Sequence, residues 1–314
     1  MAAHRVVLTD QVFPDVELER ALLARVDAEL IVPGGGRDEV LREAETADAL
    51  LNTYLPLGRD DIARLANARI IARYGIGVDN IDVAAARERG IVVTNVPDYC
   101  VEEVAVHALL LILASLRRLP AALAAASRPT WSLDGLRPIP RVSELTVGLV
   151  GLGRIGRRVA ELLRPIGPRI IGYDPFASAP VEDVAVVAML DALLAESDIV
   201  SLHLPLSDGT RGLIAREQLA RMRPTAILVN TSRGGLVRTA DLAEALRAGT
   251  IGGAALDVLE HEAADVSELA GLPNALVTPH VAYYSESSLR ESQRKAATQV
   301  VRVLSGQPPE YVVN

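Results

Sequence analysis

The sequence predicts an α/β protein with two domains, each built on a parallel sheet that is covered by helices. Three observations lead to this prediction. The chain has 314 residues, more than one hydrophobic core usually supports. Short apolar runs of β type alternate with helical patterns along its length. The stretch 145–174 reads strand, Gly-x-Gly-x-x-Gly, helix, strand and Asp, which is typical of a sheet that binds a dinucleotide.

The first hundred residues contain the first series of strands and helices. Strands are predicted at 5–8, 30–32, 48–51, 70–73 and 91–94. Helices are predicted between them at 16–26, 38–45, 60–65 and 83–89, with a glycine turn at 34–36. Repeated strand–helix units of this kind predict a parallel sheet with helices on both faces.

The remainder of the chain opens with a predicted apolar helix at 102–118. Glutamates begin this helix and arginines end it, as the helix dipole favours. An Ala- and Pro-rich connector is predicted at 120–140. Strands are then predicted at 145–150, 169–173, 184–188, 198–202, 226–229, 252–256 and 276–278, with helices between them. We expect the last helix, 287–304, to return to the first domain.

The glycine motif at 151–156 has a physical interpretation. Gly151 permits a tight turn, Gly153 lets the backbone approach a pyrophosphate, and Gly156 lets the helix pack closely on the sheet. The amides at the helix N-terminus favour negative charge. Asp174 can accept hydrogen bonds from both adenine-ribose hydroxyls and would repel a 2′-phosphate, which favours NAD over NADP. The alternative for Asp174 is a turn residue before Pro175.

Composition excludes several classes of partner. The net charge of −8 and the pI of about 5.3 argue against a nucleic-acid surface. Cys100 is the only cysteine, so no internal disulfide framework is expected and a reducing cytoplasm fits. The apolar run 104–116 is too short to span a bilayer, and the first ten residues lack a signal-peptide pattern. We expect no metal. His107 lies in that apolar run, where a structural role is favoured.

Three polar stretches follow predicted strands in the second half, where an α/β sheet places its site. They are 230–235 with Arg233, 257–262 with two glutamates, and 278–280 with His280. Each has an ordinary interpretation alone: a solvated arginine, an acidic surface loop and a structural histidine. Together, beside a predicted NAD site, they indicate a catalytic group.

These stretches, together with 73–82 and the glycine motif, resemble the D-isomer-specific 2-hydroxyacid dehydrogenase family. Segments 96–104, 136–139 and 280–286 resemble its branch that contains the C-terminal binding proteins. The resemblance implies a flavodoxin-like substrate-binding domain from 1–100 and 287–314, a Rossmann NAD-binding domain from 101–286, and an interdomain active-site cleft. It also implies a homodimer and, since the chain stops at Asn314, no C-terminal regulatory extension of the kind found in longer phosphoglycerate dehydrogenases.

The resemblance also assigns roles. Arg233 would bind the substrate carboxylate and polarise the keto oxygen, His280 would be the acid or base, and Glu262 would pair with His280 and orient its ring. Asp257 would help to bind the nicotinamide carboxamide. The implied cofactor-binding residues are Gly151, Gly153, Arg154, Ile155, Gly156, Asp174, His203, Pro205, Thr210, Thr231, Ser232, Arg233, Asp257 and His280. The implied substrate-binding residues are Asn52, Tyr74, Gly75, Ile76, Gly77, Arg233, His280 and Tyr283, with the backbone of 74–77 around the carboxylate.

The sequence therefore predicts an NAD-dependent oxidoreductase that interconverts a small D-2-hydroxy acid and its 2-keto acid. Glyoxylate, hydroxypyruvate, pyruvate and 3-phosphoglycerate or its keto form stay open as substrates. An NADH-sensing binding protein like the corepressors is one alternative, and a dehydrogenase of phosphite or phosphonate compounds is another. Tyr283 stands where the corepressors carry a tryptophan, so their substrate preference does not transfer.

Overall fold

The computed structural model describes residues 2–127, 132–177 and 179–314. Within them the chain divides into two compact units. The first comprises residues up to Tyr99 together with Ser285–Asn314, and the second comprises Cys100–Tyr284.

The first unit contains a five-stranded parallel sheet. Its strands are β1 (His4–Leu8), β2 (Ala28–Ile31), β3 (Ala49–Asn52), β4 (Ile70–Arg73) and β5 (Val92–Thr94), and its first helices are α1 (Glu17–Leu23), α2 (Arg37–Ala44), α3 (Arg59–Arg64) and α4 (Val83–Glu88). The order in the sheet is β2-β1-β3-β4-β5, and every pair is parallel. This is the flavodoxin-like order, in which the chain winds outward in both directions from β1.

The second unit contains a seven-stranded parallel sheet. Its strands are β6 (Thr146–Val150), β7 (Arg169–Tyr173), β8 (Val184–Val186), β9 (Ile199–Leu202), β10 (Ile227–Asn230), β11 (Gly253–Leu256) and β12 (Ala275–Val277). Its helices are α5 (Val101–Leu116), α6 (Leu119–Ala126), α7 (Arg154–Leu163), α8 (Leu190–Glu196), α9 (Arg216–Arg221), α10 (Thr239–Ala248) and α11 (Glu262–Leu269). The strand order β12-β11-β10-β9-β6-β7-β8 reverses direction at β6 and β9, which is the switch point of a Rossmann sheet.

Alternate side chains of these strands point to opposite faces, and each face carries its own apolar cluster. On one face, Val147 and Leu149 pack with α5 and α7 residues such as Leu111 and Val159. On the other, Val150 and its neighbours pack with residues of α8, α9 and α10. The strands are therefore apolar on both faces, which explains why they read as continuous hydrophobic runs in the sequence.

The final helix, α12 (Glu286–Leu304), packs on β3, β4 and α1 of the first unit. Its N-cap is Ser285, whose hydroxyl accepts the amide of Ser288 at 2.9 Å. Beyond α12 the chain reaches β5, where Val313 donates its amide to the carbonyl of Val93 and Asn314 accepts the amide of Val93. No pattern in the sequence indicated this pairing of the last residues with β5.

The predicted fold class, two doubly wound parallel sheets, is confirmed. The predicted connector at 120–140 is wrong in its first part, because 119–126 form α6 with Pro120 in the first turn, where a missing amide is tolerated. Residues 128–131 of that connector lie outside the described residues. In the described part of the chain, no single helix is long and apolar enough to cross a membrane. Only α5 and α6 taken together have that length and composition, and they are bent by 57° relative to each other.

Candidate active site

Six neighbouring strands of the seven-stranded sheet end in the residues that the sequence analysis singled out. Since all pairings are parallel, the carboxyl ends of these strands lie along one edge. In spatial order from β12 to β7, this edge carries His280, Asp257, Arg233, His203, the glycine motif and Asp174. Residues far apart in the sequence thus meet on a single edge, which is where open α/β sheets bind ligands.

The glycine motif makes two close backbone approaches and leaves one open space. Gly151 has φ +98°, and a Cβ atom there would lie 2.4 Å from the His203 carbonyl oxygen. A Cβ atom at Gly156 would lie 2.1 Å from the Gly151 carbonyl oxygen. A Cβ atom at Gly153 would meet nothing within 4 Å. Gly153 is also the N-cap of α7 and has no side chain to cap its amides, so the helix N-terminus is open to an anion.

Asp174 follows β7, and its carboxylate binds backbone amides of the glycine motif and of its own loop. Its Oδ2 accepts the amide of Leu152 at 2.9 Å, and its Oδ1 accepts the amide of Phe176 at 2.8 Å. Each carboxylate oxygen can accept more than one hydrogen bond, so these two contacts leave capacity for ribose hydroxyls. The ribose role stays a prediction.

Two buried polar atoms beside the glycine motif have no partner among the described residues. These are His203 Nδ1 and Thr231 Oγ1, on residues that are 8% and 7% exposed. His203 Nε2 lies 2.9 Å from Ser201 Oγ, and burial lowers the pKa of His203 from its usual 6.5 to about 4. Buried polar atoms are rarely left unpaired, so they fit a site whose ligand completes their hydrogen bonding. With the open space at Gly153, they fit a dinucleotide.

The pKa of His203 gives a stability prediction. Between pH 6.5 and about 4 the unfolded chain binds a proton at this imidazole and the folded chain does not. The contribution of the neutral imidazole to the unfolding free energy is therefore complete above pH 6.5 and decreases as the pH falls below 6.5. Between about pH 7.5 and about pH 5 we expect the wild type to lose about 2 kcal/mol more unfolding free energy than His203→Gln. Urea unfolding followed by circular dichroism measures this difference, and equal losses in both proteins would contradict it.

The other predicted cofactor-binding residues form the loops around this edge. Thr210 Oγ1 donates to the Pro205 carbonyl at 2.8 Å, and Ser232 Oγ donates to the Leu202 carbonyl at 2.7 Å. Arg154 and Ile155 are the first two residues of α7. The hydroxyls of Thr210 and Ser232 thus stabilise their loops, and any contact of these residues with a cofactor stays a prediction.

Arg233 is presented by a short turn that Asn230 shapes. Asn230 is fully buried; its Oδ1 accepts the Ser232 amide at 3.0 Å and its Nδ2 donates to the Arg233 carbonyl at 2.9 Å. This asparagine-centred turn fixes the backbone from 231 to 233 without a glycine. A Cβ atom at Gly234 would lie 1.8 Å from the Leu259 carbonyl oxygen. Only glycine therefore lets the Arg233 turn lie against the segment that leads to Glu262.

His280 and Glu262 form the pair that the sequence analysis predicted. His280 Nδ1 lies 2.7 Å from Glu262 Oε1. The side chain of His280 is 31% exposed, and its ring meets the Tyr283 ring edge-on with centroids 6.0 Å apart. His280 has φ +52°, a left-handed conformation that is uncommon for residues other than glycine and that asparagine, aspartate and histidine adopt more often than the rest. This backbone strain is typical of functional sites.

Asp257 is the anchor of the His280 loop. Its carbonyl accepts the His280 amide at 2.8 Å, its Oδ1 accepts the Val281 amide at 3.0 Å, and its Oδ2 accepts the Ala282 amide at 2.8 Å. Three successive amides are thus bound by one residue that is 2% exposed. The sequence analysis predicted Asp257 as a contact to the nicotinamide carboxamide, and that contact stays a prediction beside the structural one.

In the first unit, the side chain of Asn52 is bound within the protein, and its predicted contact with substrate stays a prediction. Asn52 is fully buried. Its Nδ2 donates to Thr9 Oγ1 and to the Leu55 carbonyl, and its Oδ1 accepts from Asn80 Nδ2 at 3.0 Å. The amide group is therefore occupied within the protein, where it supports the 52–55 loop.

The side chain of Tyr74 is likewise part of the core. It is 2% exposed, and its hydroxyl donates to Glu19 Oε1 at 2.9 Å. Gln293 Nε2 of α12 donates to both oxygens of the same carboxyl at 3.1 Å. Burial raises the pKa of Glu19, and burial together with Glu19 raises the pKa of Tyr74 well above its usual value. The Tyr74 side chain therefore belongs to the core, and the predicted role of this residue concerns its backbone alone.

The backbone of the 74–77 loop points its carbonyls inward. The carbonyls of Tyr74, Gly75 and Ile76 accept from Ser292 Oγ, the Val96 amide and Asn95 Nδ2 at 2.5, 3.1 and 2.7 Å. The Tyr74 amide is also occupied, by the Asn52 carbonyl at 2.9 Å. The predicted carboxylate-binding role is therefore confined to the backbone of Gly75, Ile76 and Gly77, where it stays a prediction.

Residues 109–282 match the family described as D-isomer specific 2-hydroxyacid dehydrogenase, NAD binding domain. A D-3-phosphoglycerate dehydrogenase of Methanocaldococcus jannaschii is 37% identical over 314 residues, covering 99% of this chain and 59% of its own. The chain thus spans little more than half the length of this curated relative. The TT0316 protein of Thermus thermophilus has a TM-score of 0.88 and 36% identity over 99% of this chain and 100% of its own. A D-lactate dehydrogenase of Aquifex aeolicus complexed with NAD and lactic acid has a TM-score of 0.89 and 28% sequence identity, and the match covers 96% of each chain.

Proposed function

The chain belongs to the D-isomer-specific 2-hydroxyacid dehydrogenase family, and on this premise we propose that it is an NAD(H)-dependent oxidoreductase that interconverts a small D-2-hydroxy acid and its 2-keto acid. The observation that carries the proposal is the 2.7 Å contact between His280 Nδ1 and Glu262 Oε1 on the same sheet edge as the glycine motif. An imidazole beside a carboxylate is a general acid or base with a fixed ring orientation.

His280 moves the proton in the proposed reaction. With Nδ1 directed at Glu262, Nε2 is the atom that donates a proton to the keto oxygen in reduction and takes it from the hydroxyl in oxidation. Glu262 stabilises the imidazolium before the proton leaves and keeps the ring oriented.

Arg233 binds the substrate carboxylate and draws electron density from the keto oxygen in this proposal. Its guanidinium is planar and can donate two parallel hydrogen bonds to a carboxylate. The Asn230 turn and the close approach of Gly234 to Leu259 fix the backbone from which this side chain extends. NAD(H), when bound, would accept the hydride from the hydroxy acid or donate it to the keto acid. The residues around the glycine motif, Asp174, His203 and Thr231 would hold it.

Asp174 tests the cofactor part of the proposal. We expect Asp174→Asn to raise the ratio of kcat/KM with NADPH to kcat/KM with NADH by about tenfold, because the repulsion of a 2′-phosphate is removed. Asn keeps one carbonyl oxygen for the Leu152 or Phe176 amide. Asp183→Asn is the matched control, since Asp183 is an exposed left-handed residue paired with Arg164. An unchanged ratio in Asp174→Asn would count against its ribose role.

The test of the whole proposal is NADH consumption with a panel of 2-keto acids. The panel contains glyoxylate, hydroxypyruvate, pyruvate and the keto form of 3-phosphoglycerate. The names of the Methanocaldococcus and Aquifex relatives support the last two as the first to be tried. Turnover of glyoxylate, or turnover of one of the other three with a D-configured product, supports the proposal. NADH binding without turnover of any keto acid would overturn it and favour an NADH-sensing binding protein.

A further inference from the structure

His107 lies on α5 and contacts the segment that carries His280. Its Nε2 is 3.0 Å from Thr278 Oγ1 and 3.5 Å from Asp257 Oδ1. The His107 side chain is 14% exposed, and α5 packs on β10 and β11. The sequence analysis favoured a structural role because the surrounding helix is apolar. The contact partners are instead polar, and both belong to the loops at the carboxyl ends of β11 and β12.

The donors and acceptors in this group can be assigned. The Thr278 hydroxyl donates its single hydrogen to Asp257 Oδ1, which lies 2.5 Å away. Thr278 Oγ1 therefore accepts from His107, and His107 carries a proton on Nε2. A directed chain of hydrogen bonds results, from His107 to Thr278 to Asp257.

This series of hydrogen bonds ends at the loop that carries His280. Asp257 Oδ1 also accepts the Val281 amide, and Oδ2 accepts the Ala282 amide. The orientation of the Asp257 carboxylate thus decides where the two residues after His280 lie. His280 itself is in a left-handed conformation, which persists only where the surrounding contacts determine it. We therefore expect the loss of one contact to Asp257 to change the position of the His280 ring.

We propose that His107 is a positioning residue for the His280–Glu262 pair, acting through Thr278 and Asp257. The proposal rests on the proposed function for its kinetic consequence, and it also has a consequence for the loop that does not depend on turnover. Without the His107 donor, Thr278 Oγ1 loses one of the two partners that fix its rotamer, and the Asp257 carboxylate is less constrained. A misplaced acid–base group lowers kcat more than it alters substrate or cofactor binding.

The experiment uses His107→Phe, His107→Gln, Thr278→Val and the double variant of the first and third in the full chain. Phenylalanine keeps a planar ring without a donor, whereas glutamine keeps an N–H donor at about the reach of Nε2. We expect His107→Phe to lower kcat by about 10- to 100-fold, with the KM of the keto acid and the Kd of NADH within about threefold of wild type. His107→Gln should recover most of kcat. The loss of kcat in the double variant should not exceed the larger of the two single losses, because both substitutions break the same series of hydrogen bonds.

Amide hydrogen exchange of the peptide that contains Val281 and Ala282 is measured on the same proteins. We expect faster exchange in His107→Phe and Thr278→Val, and protection close to wild type in His107→Gln. If the wild type turns over no keto acid, the proposed function fails while the exchange data still decide this inference. Wild-type exchange in His107→Phe would overturn it, as would a loss in His107→Gln equal to that in His107→Phe.

Discussion

Replacing His280 with asparagine is expected to lower kcat for keto-acid reduction by about 10³-fold. General acid–base catalysis contributes about 10²- to 10⁴-fold, and asparagine cannot transfer the proton. Asparagine tolerates the left-handed backbone at this position better than alanine, so the loss reports the missing imidazole. Steady-state kinetics with saturating NADH measure it.

The cofactor affinity of this variant separates catalysis from folding. We expect the Kd of NADH, measured by fluorescence, to stay within about threefold of wild type, because the glycine motif and Asp174 lie on other strands of the sheet. Glu262→Gln should show a smaller loss in kcat, since it removes the partner of His280 and leaves the imidazole. Turnover close to wild type in His280→Asn would refute the acid–base assignment.

The second large effect is expected at Arg233. Arg233→Lys should lower kcat/KM for the keto acid by about 10³-fold, because lysine keeps the charge but cannot form two parallel hydrogen bonds with a carboxylate. Both KM and kcat should change, since this residue is proposed to bind the carboxylate and to polarise the keto oxygen. Kinetics over a range of keto-acid concentrations separate the two contributions.

Arg238→Lys is the matched control for this substitution. Arg238 lies on the same segment and pairs with the partly buried Glu260 at 3.0 Å, an ion pair that lysine can also form. Its kinetics should match those of the wild type. If Arg233→Lys behaves in the same way as Arg238→Lys, the carboxylate-binding role of Arg233 is wrong.

The sequence was sufficient for features that depend on local pattern. The β6–α7 motif was recognisable because a strand, three spaced glycines, a helix and Asp174 occur in one continuous stretch. The fold class followed from the alternation of buried strands with helices. The His280–Glu262 pair lies on segments that follow neighbouring strands, so the strand pattern indicated their common edge and the resemblance indicated their pairing.

Contacts between distant segments were out of reach, because a polar residue in the sequence does not reveal which way it faces. The sequence did not reveal that Thr9 and Asn80 bind the side-chain amide of Asn52, or that Glu19 binds the hydroxyl of Tyr74. A structural role was favoured for His107 because its helix is apolar. Its contact with Thr278 joins residues that are 171 positions apart in the chain. The turn at Asn230 had a local signal, an asparagine two residues before a serine, that could have been used.

The left-handed conformation of His280 also determines which replacements can be interpreted at that position. A β-branched residue would combine the loss of the imidazole with a collapse of the loop, whereas glycine adopts φ +52° without strain. Glycine also leaves an imidazole-sized space beside Glu262 and Tyr283. His280→Gly is therefore the variant in which imidazole added to the solution has both an intact backbone and room to enter, so chemical rescue becomes an experiment that this loop permits.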